Sequence, residues 1–165
     1  MMGGGIDWPS QHPVPDVIPD AAHWRLVVDG LVHRPLRLGL ADLLALPQEE
    51  HRGSYTCERG WEDADYLWRG PRLQAVLALA EPLAEGRALY AYAAGGWRAA
   101  VPQEAFDWAL LALELNGRPL TRDRGAPCRL FVFAPDVALG IKWLERLELV
   151  VGTDVRWGPP KPPGE

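Results

Sequence analysis

The sequence predicts an α+β fold, mixed sheets with short helices, and three features of it do so. Strand-like runs are short, as in WRLVVD at 24–29 and CRLFVF at 128–133. Only one segment, RLQAVLALA at 72–80, has clear helical periodicity, with Leu73, Val76, Leu77 and Ala80 on one face. Strands and helices do not alternate in the regular manner of a βαβ protein.

Each element follows from local chemistry. Pro9, Pro13, Pro15 and Pro19 remove donors and block helix, so residues 1–23 are predicted to form an extended arm. Residues 24–29 read as a strand closed by Gly30, and 36–38 as a second short strand. A short helix is expected at 40–46, with Pro47 just beyond it. Residues 52–56 read as a strand delivering Cys57, and 61–69 as a loop or hairpin edge. Pro71 and Pro82 bracket the helix at 72–80.

A hairpin is expected from 88–93 and 97–101 around Gly95-Gly96, followed by a short helix at 102–109. Asn116-Gly117 is a turn signal. Residues 128–133 and 143–151 read as strands, the latter with mixed periodicity that leaves its first turn open to helix. The boundaries expected are an arm at 1–23, a folded body at 24–152 and a Pro-rich tail at 153–165.

Composition narrows the function. A chain of 165 residues with 48% hydrophobic side chains builds one core without disulfides. Two distant cysteines, Cys57 and Cys128, make no secreted disulfide framework, although one bridge between them stays open. A net charge of -5 argues against nucleic-acid partners. The chain has no apolar run of membrane-spanning length. It also shows no basic, apolar or twin-arginine leader, which predicts a cytoplasmic protein for the sequence as written. Dinucleotide, P-loop and zinc motifs are missing.

Three residues stand out chemically. Cys57 lies in the polar run SYTCERGW, where a thiolate is able to ligate a transition metal, although the position also suits a small core residue. Of seventeen basic residues only two are lysine, and Lys142 is the one inside the predicted body, which suits a site needing a compact point charge. Arg129 interrupts an apolar strand and requires an anionic partner if buried.

Several segments together resemble the molybdopterin-dependent oxidoreductases of the sulfite oxidase and protein-methionine-sulfoxide reductase type. The resemblance covers about residues 8–151. It runs through His12-Pro13-Val14-Pro15, Trp24-Arg25-Leu26-Val27-Val28-Asp29-Gly30 and Leu36-Arg37-Leu38-Gly39-Leu40. It continues through Thr56-Cys57-Glu58-Arg59-Gly60-Trp61, Trp68-Arg69-Gly70-Pro71-Arg72-Leu73 and Asn116-Gly117-Arg118-Pro119-Leu120. Gly125-Ala126-Pro127-Cys128-Arg129-Leu130 and Lys142-Trp143-Leu144 complete it, all in the family's order.

The resemblance implies a sulfite-oxidase-type molybdopterin-binding fold and a molybdenum-molybdopterin cofactor. Cys57 is then the molybdenum thiolate. His12, Arg124, Arg129 and Lys142 hold the pterin and its phosphate, and Cys128 is a packing residue. The implied reaction transfers an oxygen atom or electrons to or from a small substrate, a sulfoxide before sulfite, because Cys57-Glu58-Arg59-Gly60-Trp61 is similar to the reductase-type turn. A bare cofactor domain implies a separate electron-transfer protein, a cytochrome or a membrane haem subunit. One departure supports an alternative. Relatives carry Gly-x-Lys/Arg-x-x-Lys-Trp where this chain reads Val137-Ala138-Leu139-Gly140-Ile141-Lys142-Trp143. That change suits a non-catalytic or degenerate module of the same fold that no longer holds molybdenum.

Overall fold

The computed structural model describes residues 18–53, 66–134 and 137–153. His12, Cys57, the arm up to residue 17 and the tail from residue 154 lie outside them. Within the described residues the chain forms three sheets and two short α-helices, the α+β architecture expected.

The largest sheet has the order β2-β1-β12-β5-β6, built from β1 (Leu26–Gly30), β2 (Leu36–Leu38), β5 (Ala88–Ala93), β6 (Arg98–Pro102) and β12 (Leu144–Val150). Its one parallel pair joins β1 to β12, the first and last strands of the body. Trp24 Nε1 reinforces the junction by donating to the Leu144 carbonyl at 2.9 Å. A three-stranded sheet has the order β11-β10-β7, from β7 (Ala109–Ala112), β10 (Arg129–Ala134) and β11 (Val137–Ile141). A four-stranded sheet has the order β3-β4-β8-β9, from β3 (Glu49–Gly53), β4 (Tyr66–Gly70), β8 (Glu114–Leu115) and β9 (Arg118–Pro119).

The two smaller sheets meet where β4 leads into α2 (Leu73–Ala80). Leu113 N donates to Arg69 O at 2.8 Å and Leu111 N to Pro71 O at 2.9 Å. Gly70 makes this approach possible, because a Cβ there would sit 1.8 Å from the Leu111 carbonyl oxygen.

Strand alternation sorts β10 between two cores. Leu130 and Val132 join the main core with Leu26, Leu77, Leu89 and Leu147, while α1 (Leu40–Leu44) adds Leu43. Phe131 turns the other way, into a second core with Trp68, Leu110, Ala112 and Leu120.

Most elements fall where the sequence places them. The helix at 102–109 is a 3-10 helix, Gln103–Trp108. Asn116 and Gly117, at φ 53 and 81, make the tight turn between β8 and β9. Two expectations change. Residues 66–70 are not an edge but β4, paired on both sides by β3 and β8. β12 is strand throughout, its mixed periodicity reflecting a register shift between Leu144 and Arg146. The stretch read as an altered phosphate loop from the resemblance is a regular strand, β11, paired with β10 from Leu130↔Ile141 to Ala134↔Val137.

Candidate functional site

A short turn gathers the site's cations. Thr121 leads into a 3-10 helix, Arg122–Arg124, that ends at Gly125 with φ 108. Its three consecutive carbonyls point at three donors from other elements. Arg122 O accepts Trp143 Nε1 at 2.7 Å, Asp123 O accepts Lys142 Nζ, and Arg124 O accepts Arg129 Nη1 at 2.8 Å. The carbonyl end of a helical turn carries partial negative charge and suits cations. Gly125 sets the spacing, since a Cβ there would lie 2.9 Å from Lys142 Cβ and Cγ. Trp143 takes a left-handed conformation, φ 55, between Lys142 and β12.

Both cations are sunk in the fold. Arg129 is 0% exposed and Lys142 2%, the two buried charged side chains among the described residues. Arg129 begins β10, so Phe131 and Phe133 at two and four residues on share its face. Its guanidinium lies 4.3 Å from the Phe131 ring centroid and 5.1 Å from that of Trp68. The aromatic packing continues through Trp68–Phe131 (4.2 Å), Phe131–Phe133 (5.2 Å) and Phe133–His51 (3.6 Å, stacked). Burial holds the His51 imidazole below its ordinary value, favouring the neutral ring.

Arg124 is half-buried, its guanidinium 5.5 Å from the Tyr66 ring. Tyr66 is the first residue of β4 and pairs with Gly53, the last residue of β3. The sequence between those two residues includes Cys57, and Tyr66, where the described chain resumes, lies against Arg124. Asp123 lies in the same turn, where a Thr121 hydroxyl bond at 2.6 Å holds its carboxyl below the ordinary range.

The structure thus brings together three of the expected residues, Arg124, Arg129 and Lys142, around one turn. Cys57 and His12 lie outside the described residues. Cys128 is a free, fully buried thiol in the main core whose ionisation burial suppresses strongly, as a packing residue requires. Trp68 is 1% exposed and packs the second core. Sequence reasoning missed Tyr66, Trp68, Phe131 and Trp143 as partners of the cations. The Arg129, Phe131, Phe133 spacing was the available signal, because alternation puts all three on one face of a strand.

Residues 11–154 match the family model described as oxidoreductase molybdopterin binding domain. The chain belongs to that family. It is 34% identical over 112 residues to the uncharacterized oxidoreductase YuiH of Bacillus subtilis, covering 67% of this chain and 57% of YuiH. It is 27% identical over 170 residues to the NADPH nitrate reductase of Aspergillus niger, covering 84% of this chain but 19% of that enzyme. Its fold is similar to the sulfane dehydrogenase SoxCD of Paracoccus pantotrophus, with a TM-score of 0.71 and 26% identity. That match covers 82% of this chain and 40% of the other. The chain therefore spans little more than half the length of these relatives, and less of most.

The residues present fit a pterin cofactor ending in a phosphate. Three cationic side chains, Arg124, Arg129 and Lys142, gathered at one turn make a donor set whose chemistry suits an anion. Among the described residues no helix is long and apolar enough to cross a membrane.

Proposed function

We propose that this domain is a molybdenum-molybdopterin oxidoreductase acting on a small substrate, a sulfoxide ahead of sulfite. When bound, the cofactor supplies two-electron redox chemistry and oxygen-atom transfer. The observation that carries the reading is the pair of buried cations, Arg129 and Lys142, clamped on the carbonyls of the 122–124 turn. They bind the cofactor's phosphate, and the turn fixes their positions so that little ordering is needed on binding. Arg124 and His12 add pterin contacts. Cys57 provides the metal's thiolate. Electrons pass to or from a separate protein, a cytochrome or a membrane haem subunit.

The test is Cys57→Ser in protein made by a host that synthesises the cofactor. Turnover with sulfoxide and a reduced dye is expected to vanish while the thermal unfolding midpoint stays within about 2 °C of the parent. Unchanged turnover sinks the assignment.

A second reading rests on β11. A regular strand occupies residues 137–141, where relatives carry a basic loop, so phosphate contacts from that loop are replaced by sheet pairing. A module that keeps the fold without the metal answers to the same observation. Folded protein without molybdenum from that same host favours it.

A further inference from the structure

Lys142 and Trp143 form the link between β11, in the three-stranded sheet, and β12, in the five-stranded sheet. In extended chain, neighbouring side chains point to opposite faces. Here both reach the same turn. Lys142 Nζ donates to Asp123 O, and Trp143 Nε1 donates to Arg122 O at 2.7 Å. Adjacent side chains thus bond adjacent carbonyls. That requires a break in the alternation, and Trp143 supplies it with φ 55.

This conformation is uncommon for a bulky residue. Glycine adopts it without strain and would serve a link that only had to change sheets. What glycine lacks is the indole. The main chain of Trp143 is fastened on both sides: its N–H donates to Gly125 O at 3.2 Å, and its carbonyl accepts from Ala94 N at 2.8 Å, just past β5. Its side chain is 4% exposed, with the ring centroid 5.6 Å from Lys142 Nζ. Backbone strain held in place by its surroundings in this way gathers at functional sites.

We propose that Trp143 is the positioning residue for Lys142. The indole bond to Arg122 O locks the 122–124 turn onto the β11–β12 link, so the ammonium meets the cofactor's phosphate already in place. Trp143 acts through Lys142, not on the phosphate itself. The proposal rests on the reading of Lys142 as a phosphate ligand given above. A preorganised cation loses less freedom on binding, so removing the indole N–H weakens anion binding beyond any effect on the fold.

The lysine content makes the test direct. The chain has two lysines, Lys142 and Lys161, so the side-chain resonances of isotope-labelled lysine resolve the site and carry an internal reference. The full chain, from a host that does not make the cofactor, is titrated with inorganic phosphate at constant ionic strength. In the parent, phosphate is expected to shift the Lys142 signal saturably and leave Lys161 unmoved. Trp143→Phe keeps an aromatic ring and removes the donor. Trp143→benzothienylalanine also keeps the fused-ring shape, with sulfur in place of the N–H, so the core stays filled. Both variants are expected to bind phosphate about tenfold more weakly. Trp24→Phe is the matched control. Trp24 is 2% exposed and donates its indole N–H to a strand carbonyl, Leu144 O, at 2.9 Å. Its loss should lower the urea midpoint and leave phosphate affinity unchanged. Parent-like affinity in the benzothienylalanine variant overturns the proposal. An equal loss of affinity in Trp24→Phe overturns it too, because stability alone then accounts for the effect. A Lys142 signal that phosphate does not move in the parent overturns the phosphate reading, and the proposal with it.

Discussion

Arg129 combines complete burial with a positive charge, and the two pull in opposite directions. Desolvating an ion costs several kcal/mol, which its polar and aromatic partners offset in part. Arg129→Met is expected to leave cofactor-free protein folded, with a cooperative urea transition. The same change should lower molybdenum per chain about tenfold or more in protein from a cofactor-making host. A purely structural arginine gives the reverse, a large stability loss with unchanged loading. Gly125 is tied to the same site by sterics. Gly125→Ala puts a methyl 2.9 Å from the Lys142 side chain at φ 108, and about 2 kcal/mol of stability should be lost in urea titration. The sequence exposed the chemistry of these residues, since an arginine in an apolar strand and a lone lysine in the body are conspicuous. It hid their partners. The carbonyls of Arg122, Asp123 and Arg124 carry no side-chain signature, so a clamp made of backbone oxygens is invisible until the turn is built.

At the scale of elements, legibility followed periodicity. β1, β2, α2, β5 and β6 lie at or within a few residues of their sequence positions because their apolar patterns and Gly or Pro boundaries agree. β4 was read as loop or edge because YLWRG mixes polar and aromatic residues. Its pairing with both β3 and β8 is a tertiary fact, made possible at Gly70 where β7 crosses closely. Gly70→Ala pushes against main chain, not a yielding side chain, and is expected to cost about 3 kcal/mol or more in urea unfolding. β11 was read as an altered loop because its relatives have one there, whereas its own register with β10 is unbroken. β3 brings a titratable group into the second core. His51 stacks on Phe133, and burial lowers its pKa from the usual 6.5. The unfolded chain thus binds the proton more readily. Stability is full above about pH 6.5 and declines as pH falls toward the depressed folded value. Urea midpoints measured between about pH 7.5 and about pH 5 should drop, and His51→Phe should flatten that slope.

The whole molecule is a sandwich of functions around one seven-residue stretch, 121–127. Its carbonyls hold two buried cations, its Arg124 faces Tyr66 of β4, and its Arg122, Ala126 and Pro127 line an apolar cavity. Family membership establishes a molybdopterin-binding oxidoreductase domain. The buried cations argue that this copy still loads its cofactor despite the strand at 137–141. Molybdenum content measured by elemental analysis tests that directly, on the full chain purified from a host that makes the cofactor. The account predicts close to one molybdenum per chain in the parent and about a tenth of that or less in Arg129→Met. A well-folded parent with no molybdenum would contradict it.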